Sequence, residues 1–101
     1  MTERPPTTEY VAECFWPGVD EEAVQALDAR AGGCADELAR AGEPVRYLGS
    51  ILMREDEVVL CLFDGTEDAV RLAAEQADVP FERILEASAS HVPQRRKGDP
   101  R

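Results

Sequence analysis

The chain has 101 residues, of which 44% are hydrophobic and 32% are charged, and this length suffices for one compact domain with short tails. The composition is that of a folded globular chain rather than a disordered one. The net charge of −10 excludes a generic basic nucleic-acid binder and disfavours attachment to anionic lipid.

The opening residues and the cysteines both bear on the compartment. Residues 1–6 are polar and contain proline, without the charged-then-apolar leader of a secreted protein. The longest unbroken apolar stretch, residues 58–63, is far shorter than the roughly 20 residues of a membrane span. Cys14, Cys34 and Cys61 are an odd number without a C-x-x-C pair, which argues against a secreted disulfide framework. We expect a cytoplasmic protein with buried structural thiols, and a redox or metal role for Cys14 with Cys61 is the alternative.

The first half of the chain predicts a strand followed by a helix. Residues 9–16 are rich in aromatic and β-forming side chains and end at Pro17-Gly18, which predicts strand one. Asp20 is the predicted N-cap of a helix that ends at Gly42. Apolar residues at a three-four spacing predict its buried stripe: Val24, Leu27, Ala31, Cys34, Leu38 and Ala41.

The second half predicts a hairpin, a helix and a last strand. Residues 45–53 and 58–63 read as strands two and three. Thr66 is the predicted N-cap of the second helix, and residues 81–87 are of mixed polarity, which favours an edge strand. The order βαββαβ is that of the ferredoxin-like α+β fold, with a four-stranded antiparallel sheet in the order 4-1-3-2 and two helices on one face.

The composition changes at both ends of the predicted domain. Residues 1–8 read as a flexible lead and residues 9–88 as the ferredoxin-like domain. Residues 89–101 are mainly basic and lack apolar periodicity, so we expect a disordered tail, in which His91 is solvated. The acidic body repels phosphates, and a tail that folds back on its own domain is therefore favoured over a nucleic-acid-binding arm.

The strand pattern predicts how the domain assembles. In strand three, Val58, Leu60 and Leu62 point to one face while Val59, Cys61 and Phe63 point to the other. Strand two is predicted to place Val45, Tyr47, Ile51 and Met53 on one side and Leu48 and Leu52 on the opposite side. Both faces of the sheet are then apolar, although the helices cover only one, and a bare apolar face is rare in monomers. We predict a homodimer packed sheet to sheet, and a lipid or ligand groove is the competing explanation.

Glu13 is the main candidate for a functional side chain. It lies between Val11 and Phe15 in the alternation of a predicted central strand, where a carboxylate would be desolvated. Pairing with Arg46 or Arg83, or a strand end open to water, is the structural explanation. The functional explanation makes Glu13 a metal ligand or an acid–base group, with three candidate pocket neighbours: Tyr47, Ser50 and Cys61.

The chain has no phosphate-binding loop, no Ser/His/Asp set and no Cys/His pair, so nothing indicates a hydrolase. A non-enzymatic protein is favoured. The alternative is a small-molecule-binding domain or a dimeric enzyme of monooxygenase or isomerase type, with a cavity at the sheet face lined by Glu13, Tyr47 and Ser50. A third possibility, a regulator that binds partners through the acidic surface, predicts no pocket.

Four segments together resemble a known family: residues 10–18, 45–50, 61–64 and 77–84. They are similar, in order and spacing, to the small actinobacterial ferredoxin-like family typified by a Streptomyces nickel-binding protein, and the resemblance covers about residues 8–88. It implies a ferredoxin-like fold, a homodimer and, in some members, nickel bound by His and carboxylate ligands.

This chain departs from the family at the metal ligands. Where many members have His, near the start of strand two and in a Leu-His-Ser motif, it has Glu43-Pro44 and Leu48-Gly49-Ser50. Glu13 matches the acidic residue of the family's first strand and Asp64 its counterpart after the Cys, and only Glu13 is carried over as a ligand. Without imidazole, nickel depends on oxygen or thiolate ligands, so we expect divalent metal binding that is weak or lost.

Overall fold

The computed structural model describes residues 7–88, which form six elements in the predicted order βαββαβ. The elements are β1 (Thr8–Phe15), α1 (Glu21–Arg40), β2 (Val45–Met53), β3 (Val58–Gly65), α2 (Glu67–Gln76) and β4 (Arg83–Ala87). Strands one, three and four differ from their predicted bounds by one or two residues. The predicted lead up to residue 6, the basic tail and His91 lie outside the described residues.

The strands form one antiparallel sheet in the order β2-β3-β1-β4, which is the predicted order read from the opposite edge. Both helices pack on the same face of this sheet, so the ferredoxin-like α+β prediction is confirmed. Strand β1 is central, as predicted, and β4 is an edge strand. Neither helix within residues 7–88 is long and apolar enough to cross a membrane.

Both helices begin at their predicted caps. The Asp20 carboxylate accepts a hydrogen bond from the Ala23 backbone N–H at 2.8 Å, and the Thr66 hydroxyl accepts one from the Ala69 N–H at 3.3 Å. These bonds satisfy backbone donors that have no partner within the first turn. Helix α1 ends where predicted, with Gly42 in the left-handed region at φ +99°.

Small side chains dominate the core between helices and sheet. On α1 the buried residues are Val24, Leu27, Ala31 and Ala35, and on α2 they are Ala69, Val70, Ala73 and Ala74. The predicted stripe of α1 is wrong at its end, because Ala41 is exposed beyond the last helical residue while Ala35 is buried in its place. The sheet contributes larger residues, including Val59 and Phe63, each with no exposed surface.

A β-bulge in β2 changes the predicted faces of that strand. Tyr47 pairs with Phe63 and Gly49 pairs with Leu62, so Leu48 is an extra residue without a partner. The alternation shifts by one residue there, which places Val45, Tyr47, Ser50 and Leu52 on the helix side, and Ile51 and Met53 on the opposite side. The prediction that Tyr47 shares a face with Ile51 and Met53 is therefore wrong, because a strict period of two fails at the bulge.

Candidate functional site

The face of the sheet opposite the helices, here called the open face, carries a band of apolar side chains. Four large ones are 41–52% exposed: Phe15, Ile51, Met53 and Leu85. Leu60 and Leu62, which alternate with the buried Val59, Cys61 and Phe63 of β3, lie between them and are partly shielded by their neighbours. The prediction that the sheet is apolar on both faces is thus confirmed for the described chain.

Glu13 lies on the open face. Its neighbours Ala12 and Cys14 have no exposed surface and face the helices, so the side chain between them points the other way. Its Oε1 accepts a hydrogen bond from Arg83 Nε at 2.5 Å, and its side chain is 33% exposed. Of the two partners considered from the sequence, Arg83 is therefore the correct one, while Arg46 pairs with Asp64 at 3.2 Å.

The Glu13–Arg83 contact is an electrostatic pair within the apolar band, with Glu13 on the central strand β1 and Arg83 on the edge strand β4. Arg83 lies on β4 directly opposite Glu13 in the register of β1 and β4. The hydrogen bond that Arg83 donates to the Glu13 carboxylate, and then the negative charge of that carboxylate, raise the pKa of the Arg83 guanidinium. The carboxylate thus already holds a cation within its own chain.

A second polar group lies on the helix side, where α1 crosses β2. Asp28 Oδ1 accepts hydrogen bonds from the Tyr47 hydroxyl at 2.5 Å and from the Ser50 hydroxyl at 2.7 Å. Tyr47 and Ser50 are an odd number of residues apart, and only the bulge between them lets both reach the same carboxylate. Burial first, and then the hydrogen bond to Asp28, raise the pKa of Tyr47.

Cys61 belongs to this second group and not to the open face. It pairs with Ser50 in β2 and with Ala12 in β1, and it is fully buried, as is Cys14. The Cys14 thiol donates a hydrogen bond to the Ala12 carbonyl oxygen at 3.8 Å. Interaction with Cys61, together with burial, raises the pKa of Cys14, and interaction with Cys14 lowers the pKa of Cys61. All three cysteines are free thiols, two of them buried, in keeping with the structural role expected of them.

The structure therefore separates the residues that the sequence analysis grouped. Tyr47, Ser50 and Cys61 lie together under α1, whereas Glu13 lies across the sheet from them, so the four line no common cavity within one chain. Within residues 7–88, no group of three or more His, Cys, Asp or Glu side chains is arranged to hold a metal ion.

Asp28 is the residue that sequence reasoning missed. It follows the buried Leu27 and lies at the margin of the apolar stripe of α1, a position that charged residues commonly occupy. Its partners come from β2, about twenty residues later, and nothing local connects them. The only signal of this site in the sequence is a Tyr and a Ser in an edge strand, both of which need a hydrogen-bond acceptor.

Comparison with solved structures supports the fold. The chain is similar to the crystal structure of SCO4226 from Streptomyces coelicolor A3(2), with a TM-score of 0.63 at 15% identity, covering 82% of this chain and 99% of that one. At this identity the likeness shows the fold alone. No family model matches the sequence, and no curated protein matches it either.

Proposed function

We propose that this protein works as a cytoplasmic homodimer in which the open faces of two sheets pack against each other. The observation that carries the proposal is the exposure of Phe15, Ile51, Met53 and Leu85 on the face that no helix covers. Burial of apolar surface stabilises an assembly by about 25 cal/mol per Å². A short domain with a small-residue core gains much from such burial.

Charge favours a second copy of this chain as the occupant of the open face. The chain carries a net charge of −10, so most approaches of two copies are repulsive. On the open face, however, the charged groups are largely matched within the chain, as Glu13 with Arg83 and Asp64 with Arg46. Two copies can therefore meet there with few opposing like charges, the exposed Glu9 at the end of β1 being the carboxylate of this face without an ion pair among residues 7–88.

The size of the face is also adequate. Three strands of eight or nine residues and one of five, about 4.8 Å apart and at roughly 3.3 Å per residue, span somewhat less than about 500 Å² in projection. Side-chain relief increases this area, and small specific interfaces bury about 600 Å² per partner. A two-fold axis through the face makes the same patch serve both copies.

Measurement of mass in solution tests the dimer. We expect sedimentation equilibrium at micromolar concentration to give twice the mass of one chain for the wild type. Ile51→Glu should give a monomer, because it places an unpaired carboxylate in the covered apolar face. Gln25→Glu, which adds the same charge on the exposed surface of α1, is the control and should remain dimeric. A wild type with the mass of one chain contradicts the proposal.

The resemblance to a nickel-binding family supports a second, weaker part of the proposal. Glu13 is the candidate ligand, and we propose that it binds divalent nickel weakly or no longer, because Arg83 already neutralises its carboxylate. This chain also lacks histidine at the positions where many members of that family have it, which lowers the expected affinity for nickel further.

Calorimetric titration with Ni²⁺, Zn²⁺ and Co²⁺ tests the metal. We expect small heats in the wild type that vanish in Glu13→Gln. Absence of heat with all three ions would remove the metal function and leave the dimer. Tight binding that Glu13→Gln leaves unchanged would show that the ligands lie elsewhere.

A further inference from the structure

The Glu13–Arg83 pair interrupts a face that is otherwise apolar at its centre. Along β1, Glu13 stands between Val11 and Phe15 on the open face, and Leu60 of β3 lies directly opposite. We infer that Arg83 is what allows the open face to be covered by a second copy of the same chain, because it neutralises the Glu13 carboxylate that such a contact desolvates. The inference rests on the homodimer proposed above.

The carboxylate and the guanidinium differ in their position in the sheet and in their exposure to solvent. Glu13 belongs to a central strand, and its side chain is only 33% exposed. Arg83 belongs to the edge strand β4, and its side chain is 63% exposed. When the open face is covered, the carboxylate loses its remaining water and Arg83 stays near the rim. The carboxylate is therefore the group that needs a partner.

The cost of desolvation explains why the pair must remain intact. An ion pair covered as a unit adds little net affinity, but a carboxylate covered without its cation strongly opposes association. A partner that displaces Arg83 must leave Glu13 unpaired. Such partners are disfavoured although their apolar contacts are equally good.

The open face contains a matched control. The Arg46–Asp64 pair is also a single contact between neighbouring strands, but Arg46 is 73% exposed, and the pair lies at the end of the sheet where β1 contributes the polar Glu9. It lies outside the apolar band, so its loss should affect association far less.

The test compares dimer dissociation constants measured by sedimentation or mass photometry. Arg83→Leu should weaken the dimer about tenfold or more, because a partly exposed carboxylate becomes unpaired. Glu13→Gln added to Arg83→Leu should restore the affinity to within a few-fold of wild type. Arg46→Leu should change it by less than a few-fold. The thermal unfolding midpoint of each variant establishes that it is folded.

The outcomes separate this inference from the proposed dimer. A monomeric wild type overturns the dimer itself. A dimeric wild type whose Arg83→Leu variant associates equally well overturns the inference alone, as does a failure of Glu13→Gln to rescue it. Replacement of both residues, Glu13→Leu with Arg83→Leu, removes the buried charge and should leave a dimer at least as tight as that of the wild type. A double variant that dissociates as readily as Arg83→Leu alone would overturn the inference.

Discussion

The two faces of the sheet are built from the same four strands, yet they differ in how their side chains are covered. On the helix side, Phe63 and Val59 have no exposed surface, and the polar groups of Tyr47 and Ser50 are satisfied by Asp28. On the open face, Phe15 and Ile51 are half exposed. The helices thus cover one face of the sheet, and within residues 7–88 no element covers the other. If the second copy that we propose covers the open face, the burial pattern of the strands predicts the assembly as well as the fold.

Substitution of a phenylalanine on each face gives the largest contrast. Phe63→Ala should destabilise the chain by about 3–5 kcal/mol, because the ring is fully buried and packs edge to face on Tyr47 at a centroid distance of 5.0 Å. Phe15→Ala should lower the free energy of unfolding of the isolated chain only slightly, because the ring is 52% exposed, but it should weaken the proposed dimer. Urea denaturation at a concentration that keeps the protein monomeric measures the difference. Equal losses for the two variants would contradict the distinction between the faces.

Alkaline pH tests the polar group of the helix side. The pKa of Tyr47 is raised in the folded chain, so the folded state keeps a proton that the unfolded state releases above the ordinary tyrosine value of 10.0. The stabilisation is complete below that value and is lost as the pH rises toward the folded pKa. We expect the free energy of unfolding to fall more steeply between pH 9 and 11 in the wild type than in Tyr47→Phe. Parallel pH profiles would show that Tyr47 ionises as freely as it does in the unfolded chain.

A glycine in α1 supplies the smallest expected effect and leaves both faces unchanged. Gly33 is exposed within the helix, and a Cβ built there meets nothing within 4 Å. Gly33→Ala should raise the free energy of unfolding by about 0.5–1 kcal/mol, because alanine loses less backbone entropy on folding. The dissociation constant of the dimer should equal that of the wild type. A change in this dissociation constant would place α1 at the interface and contradict the distinction between the two faces.

The sequence predicted the elements because their signals are local. Asp20, Thr66 and Gly42 mark helix ends through groups within a few residues, and the six-element order then limits the topology. The uncovered face was also predictable, because all six residues of β3 from Val58 to Phe63 are apolar. These features need no knowledge of distant contacts.

The candidate site could be predicted only in part. The choice of Arg83 over Arg46 as the partner of Glu13 depends on the register between β1 and β4, which the sequence does not display. The side on which Tyr47 lies depends on an extra residue in β2, and a period of two gives no sign of where such a residue falls. Asp28 is linked to its partners only through the packing of α1 on β2.

The bulge at Leu48 also bears on how far association can proceed. It interrupts the regular alternation of β2, which is one edge of the sheet, and the opposite edge is formed by β4, with only five residues. Short or irregular edges are poor templates for the addition of further strands. Growth by edge-to-edge stacking, which has no natural end point and leads to fibres, is thereby disfavoured. Contact through the sheet face ends at two chains, so the same irregularity that positions Tyr47 and Ser50 also favours a closed assembly.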